Sequence, residues 1–154
     1  MSIPCTDSFL VRPAKAEDLP SLSALFDSYR QFYGQPADPE ACLRFMQQRM
    51  EQGDARQLVA QDPEGSLLGF VQLYPLWSSV RMKPLWLLND LYVAESSRSK
   101  GVGSALLEAA KTMALQTGAC GLSLETSPDN RKAKSLYERS GFDLQTHHFY
   151  FWPA

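Results

Sequence analysis

Apolar positions keep helical spacing near the start of this chain and switch to strand-like runs in the middle, with glycine and proline at most changeovers. Phe9-Leu10-Val11-Arg12 reads as a short strand. Glu17-Asp18-Leu19-Pro20 then opens a helix carrying Leu19, Leu22, Leu25, Phe26 and Tyr29 on one stripe, and Gly34-Gln35-Pro36 ends it. A second helix begins at Asp38-Pro39, where proline sits in the first turn and its missing N–H is harmless. Cys42, Leu43, Phe45, Met46 and Met50 supply its inner face, and Gly53 stops it.

Arg56 to Gln61 and Leu67 to Leu76 are strand-like runs joined by the turn Asp62-Pro63-Glu64-Gly65-Ser66, which predicts a hairpin. A second turn, Ser78 to Lys83, leads to a third strand, Leu85 to Val93. Past a glycine-containing loop, Ser104 to Thr117 is amphipathic, with Val102, Leu106, Ala109 and Met113 on one side and Gly118 at its end. Leu122 to Thr126 is the next strand. Asp129 or Asn130 caps a last helix from Arg131 to about Ser140, with Gly141 as its left-handed terminator. His147 to Trp152 closes the chain as an aromatic strand. The predicted order is β-α-α-β-β-β-α-β-α-β-β, an α/β domain with a mixed sheet spanning residues 1–154.

At 154 residues and 44% apolar content, one core is expected. Fifteen basic residues against 17 acidic ones argue against a nucleic-acid or anionic-membrane partner and permit a cationic one. No apolar run approaches the roughly 20 residues of a membrane span. Cys5, Cys42 and Cys120 are odd in number and far apart, which fits reduced thiols and a cytoplasmic protein rather than a disulfide framework. His147 and His148 would face opposite sides of a strand, so no metal site is expected.

The chemistry concentrates in Arg98-Ser99-Lys100-Gly101-Val102-Gly103, between strand and helix. Glycines there let the backbone turn so that several N–H groups converge on an oxyanion at a helix N-terminus. A dinucleotide fold does not fit: Leu106 stands where the third glycine is wanted, and seven residues, Ala94 to Lys100, replace the tight turn. A Walker-type loop lacks its Gly-Lys-Ser/Thr ending.

Leu88-Asn89-Asp90-Leu91-Tyr92-Val93, the Arg98-x-x-Gly101-x-Gly103 loop and Asn130-x-x-Ala133-x-x-x-Tyr137-x-x-x-Gly141-Phe142 together resemble the GNAT superfamily of N-acetyltransferases in order and spacing. The run Tyr74-Pro75-Leu76-Trp77 is similar to its histone- or polyamine-type subgroup. The resemblance covers residues 9 to 152. It implies a mostly antiparallel sheet of about seven strands with one splayed parallel pair, flanked by about four helices. It also implies acetyl-CoA as cosubstrate, a small-molecule or peptide amine as acceptor, and allows a homodimer. On this resemblance Leu91, Tyr92 and Val93 would line the acetyl-pantetheine arm. Arg98, Ser99, Lys100, Gly101, Val102, Gly103 and Ser104 would hold the pyrophosphate, Asn130 and Ala133 would flank the cofactor, and Tyr137 would be the general acid.

The residues themselves agree. Asn130, Ala133 and Tyr137 share one stripe of a helix, and a phenol of reference pKa about 10 still carries its proton at pH 7. An alkyl ammonium must lose a proton before it attacks, a deficit of roughly 4–5 kcal/mol at pH 7. Asp90 and Glu125 are the carboxylates placed to help, Asp90 also as an acceptor contact. Polyamine-type members often carry Glu-Asp where this chain has Asn89-Asp90, and an asparagine cannot be a base. Tyr33 and Trp77, beside turns, are the aromatics expected near the acceptor. The alternatives are a non-catalytic acyl-CoA-sensing module and an acetyltransferase of protein lysines or N-termini.

Overall fold

The computed structural model describes residues 8–154. Strand β1 (Leu10–Pro13) is fastened to the first helix by charge: the Arg12 guanidinium grips both Asp18 oxygens at 2.7 and 2.8 Å. Helix α1 (Leu19–Phe32) follows a single 3-10 turn at Ala16–Asp18. Helix α2 (Pro39–Gln52) starts where its local signals place it: the Asp38 carboxylate accepts the Ala41 N–H at 3.1 Å, and Gly53 ends the helix at φ 63°. Strands β2 (Arg56–Gln61), β3 (Leu67–Ser78) and β4 (Lys83–Val93) then form an antiparallel meander. After helix α3 (Val102–Gln116) the chain adds β5 (Leu122–Ser123), parallel to β4, and helix α4 (Arg131–Arg139).

The sheet order is β1-β2-β3-β4-β5. One face packs Leu22, Phe26, Cys42 and Met46 of α1 and α2 on Val59 and Phe70. The other packs Val102, Leu106, Leu107 and Ala110 of α3 on Leu58, Val71, Leu73, Trp86 and Leu88, with Leu136 and Tyr137 of α4 at its margin. Complete burial of one such leucine contributes roughly 1.5–3 kcal/mol.

Two expectations are corrected. The sheet has five strands among the described residues, where about seven were expected, and β5 spans two residues rather than five. His147 to Trp152 is not a strand: residues 143–154 are exposed coil whose N–H groups make no backbone hydrogen bond among the described residues. Aromatic alternation favours extended backbone, yet a strand forms only where a neighbouring edge takes up its N–H and C=O groups. Cys42 and Cys120 are free thiols; Cys5 lies outside the described residues.

Candidate active site

One extra residue in β4 builds the centre of the site. Gln72 of β3 lies opposite Asp90, whereas Leu73 lies opposite Leu88, so Asn89 bulges from the ladder. Before the bulge Trp86 and Leu88 face α3; beyond it Leu91 and Val93 do, and Tyr92 faces α1 with Asp90 beside it. The bulge therefore turns Asp90 into a row of polar side chains crossing three strands beneath α1. Gln57 Nε2 donates to Gln72 Oε1 at 2.8 Å, and Gln72 Nε2 donates to Asp90 Oδ2 and to the Tyr74 hydroxyl, both at 3.0 Å. Asn89 Nδ2 donates to the other Asp90 oxygen at 3.1 Å.

Asp90 is 5% exposed, Gln72 fully buried and Gln57 nearly so. Among the described residues Asp90 has amide partners and no cation. Tyr29 of α1 lies over the bulge, its hydroxyl 3.5 Å from the Asn89 carbonyl oxygen and its ring packed edge-on to Tyr33, Phe70 and Tyr92. Burial, and then the Asp90 charge, push the Tyr29 phenol far above its ordinary pKa. The same two causes push Tyr74 up to about 12.

Beside this row the sheet opens. β5 pairs with β4 only at Trp86 and Leu87, so Leu91, Tyr92 and Val93 lie on a stretch of β4 that β5 does not cover. Arg98 folds back along it, donating from Nε to the Val93 carbonyl at 3.1 Å with its guanidinium 5.5 Å over the Tyr92 ring. The loop then passes through Ser99 at φ 63° and Gly101 at φ 83°, left-handed residues either side of Lys100. Such turns gather N–H groups around an anion. The first bond of α3 runs from Ala105 N–H to the Gly101 carbonyl, leaving the amides of Val102, Gly103 and Ser104 without an intrahelical acceptor. Gly103 has a separate reason: a Cβ there would stand 3.2 Å from Leu136 Cδ2, so its absence lets α4 approach α3.

That approach positions Tyr137. Lys111 of α3 donates to the Ser140 carbonyl at 2.7 Å, and Asn130 caps α4 by accepting the Ala133 N–H at 3.3 Å. Tyr137 packs edge-on to Phe142, and its phenol is pushed up to about 12 by burial and then by Tyr33. Tyr33 and Tyr137 also lie close enough to Tyr29 to raise its phenol electrostatically.

The structure thus draws together Asp90, Tyr33 and Tyr137, with the Arg98–Ser104 loop following the uncovered stretch of β4. It does not bring in Glu125, which is exposed past the end of β5, nor Trp77, which is 76% exposed opposite Pro84, about 13 Å along β3 from Leu73. Sequence reasoning passed over Gln57 and Gln72, and set Tyr29 both on the inner stripe of its helix and among the aromatics able to line an acceptor pocket. The available signal was a glutamine inside each of two strands otherwise apolar at their centres. No cluster of three metal-ligating side chains occurs among the described residues, and no described helix is long and apolar enough to cross a membrane.

The model of the Acetyltransferase (GNAT) family matches residues 22–142. The chain belongs to the GNAT family of acetyltransferases. It is similar to the uncharacterized N-acetyltransferase YhfO of Bacillus subtilis, 44% identical over 136 residues that cover 88% of this chain and 91% of the relative. A probable acetyltransferase of Haemophilus influenzae is 33% identical over 123 residues, 80% of this chain and 82% of the relative. The crystal structure of a probable acetyltransferase matches at TM-score 0.89 and 39% identity, covering 94% of this chain and 97% of that one. GNAT enzymes transfer acetyl from acetyl-CoA to amine acceptors. The uncovered stretch of β4 and the left-handed loop before α3 suit that cosubstrate, an extended amide-bearing arm ending in a pyrophosphate.

Proposed function

We propose that this GNAT enzyme, a single cytoplasmic domain, acetylates a primary amine that arrives as a cation and is received by Asp90. The observation that carries this reading is a carboxylate that is 5% exposed and has no cation partner among the described residues, at the bulge beside the uncovered part of β4. A buried negative charge is costly unless a cation or strong donors compensate it, and two amides with the Tyr29 phenol, all neutral, compensate it only in part. An alkylammonium supplies the missing charge and at the same time brings its proton to the group best placed to take it. The aromatic rings of Tyr29 and Tyr33 add faces suited to a cation. Burial favours Asp90 over the exposed Glu125 as the proton acceptor.

When bound, acetyl-CoA supplies the activated acetyl group. The backbone of Leu91, Tyr92 and Val93 is placed to align its arm, and the Arg98–Ser104 loop to hold its phosphates. Asn130 and Ala133 lie on the adjoining stripe of α4. Tyr137, with its phenol pushed up to about 12, stays protonated throughout the working range and donates a hydrogen bond toward the departing sulfur. Complete transfer to a free thiolate of pKa about 8.5 would be uphill by roughly 5 kcal/mol. The proton leaving the amine is therefore what finally neutralises the thiolate.

The test is thiol release from acetyl-CoA with polyamines, amino acids, aminoglycosides and basic peptides, for the wild type and Asp90→Asn. Turnover with one cationic class, and a loss of at least about a hundredfold in kcat/KM on Asp90→Asn with CoA binding intact, is the expected result. CoA binding without turnover on any amine, or an active Asp90→Asn enzyme, would overturn the reading.

A further inference from the structure

Beyond Asp90, toward the β3–β4 hairpin, the sheet face that carries it changes character. The register sets Tyr74 opposite Leu87, Leu76 opposite Leu85 and Ser78 opposite Lys83, while Leu73, Trp86 and Leu88 between them turn to α3. Residues directly opposite each other share a face, so Leu87, Leu85 and Leu76 follow the Gln72–Asp90 pair on the α1 side. Among the described residues none of these three leucines belongs to the apolar cluster under α1 and α2 or to the one under α3, and Leu76 is 41% exposed. Counted along β3 from Gln72, the Tyr74–Leu87 pair lies about 7 Å from the carboxylate, the Leu76–Leu85 pair about 13 Å and the exposed Lys83 about 20 Å. The face thus runs from one anion, across an apolar floor, to a cation.

We propose, building on Asp90 as the receiver of the ammonium, that this floor takes the body of the acceptor, and that the acceptor is an amine with a single cationic centre on an alkyl or aryl group rather than a polyamine. Only such a molecule matches the order of charges. The second ammonium of a six-carbon diamine lies about 9 Å from the first. It would come to rest between Leu87 and Leu85, losing water and gaining no acceptor. Asp54, the other carboxylate felt by the Tyr74 phenol, is already held by Arg49 at 2.9 Å. Glu125 lies two residues past Ser123, which pairs with Leu87, so it is displaced along β4 away from the hairpin. A longer polyamine would bring its next cation toward Lys83, which repels it. An alkyl or phenyl group over the leucines instead removes apolar surface from water on both partners.

Thiol release from acetyl-CoA by the whole protein, with ethylamine, butylamine, hexylamine, 2-phenylethylamine and 1,6-diaminohexane as acceptors, tests this. From ethylamine to hexylamine kcat/KM should rise about threefold to fourfold per methylene, with 2-phenylethylamine near hexylamine. Hexylamine should exceed 1,6-diaminohexane at least tenfold. Leu76→Asp adds a carboxylate at the exposed end of the floor and should reverse that order, whereas Leu76→Asn, which adds no charge, should weaken hexylamine without favouring the diamine. Circular dichroism checks that both variants fold, and the wild-type series stands without them. A flat chain-length series, or a diamine as good as hexylamine, would overturn the apolar acceptor; if Asp90→Asn still abolishes turnover, Asp90 remains the receiver of the cation. Turnover that survives Asp90→Asn, or none with any of these amines while CoA binds, would overturn both.

Discussion

Gln72→Leu removes the middle of the polar row while keeping nearly the same volume. The Gln57 amide loses its acceptor at 2.8 Å in a nearly buried position, worth about 1–3 kcal/mol, and Asp90 loses one of two amide donors, a charge-assisted bond worth about 1.5–3 kcal/mol. Burying leucine instead of an amide returns roughly 1–2 kcal/mol. The net expectation is a loss of about 2–4 kcal/mol, read as a fall in midpoint on urea unfolding, and a drop of about 5–15 °C in Tm for a chain of this length. With one oxygen untethered, Asp90 also loses its orientation toward the amine, so kcat/KM should fall at least tenfold in protein that is still folded. Gln72→Glu supplies an independent signature. A second carboxyl 3.0 Å from Asp90 holds its proton more tightly in the folded than in the unfolded state, so stability falls as pH rises above about 4. A Gln72→Leu variant within about 0.5 kcal/mol of wild type, or a Gln72→Glu variant with no such slope, would refute the row as a source of stability and of aim.

Tyr137→Phe should lower kcat by about 10²–10⁴ while the KM for acetyl-CoA stays within a few-fold, and with the phenol pushed up to about 12 the wild-type rate should show no descending limb from this group below about pH 11; unchanged kcat would remove Tyr137 from the chemistry. Gly101→Ala forces a side chain into φ 83° at a cost of about 1–2 kcal/mol, and calorimetry should show acetyl-CoA binding weakened roughly tenfold. Gly103→Ala drives a Cβ against Leu136 and should displace α4, lowering kcat more than it weakens acetyl-CoA binding. Tyr74 has its folded pKa raised from 10 to about 12, so its contribution to stability is intact below pH 10 and lost as pH rises from 10 to 12. Urea melts across that window should therefore fall less steeply for Tyr74→Phe than for wild type.

The parts of the fold legible in the sequence are those set by local chemistry. Asp38, Pro39 and Gly53 bound α2 within a residue, and the Asp62–Ser66 turn delimits β2 and β3. What escaped reading depends on distant partners. Leu122–Thr126 and His147–Trp152 have the composition of strands, but composition does not say whether an edge is free to receive them. Gln57 and Gln72 were similarly illegible as site residues, because their roles arise only when three strands bring them to Asp90.

Asn89 explains why the site forms where it does. Trp86, Leu88, Asp90 and Tyr92 alternate without interruption in the sequence, and a regular strand would place all four on the α3 face. There Asp90 would lie against Leu106 and Leu107 with no donor opposite, at a cost of several kcal/mol. The extra residue moves Asp90 and Tyr92 to the α1 face, where Gln72, Asn89 and Tyr29 meet the carboxylate. It lies just past Leu87, the last residue that β5 covers, so the turned carboxylate and the uncovered backbone begin at the same point along β4. An asparagine is suited to this position because its side chain donates to the carboxylate that its own bulge has rotated, while its carbonyl is left for Tyr29. Asn89, whose side chain cannot take a proton, thus acts through backbone geometry, and in the proposed mechanism proton transfer falls to the aspartate beside it.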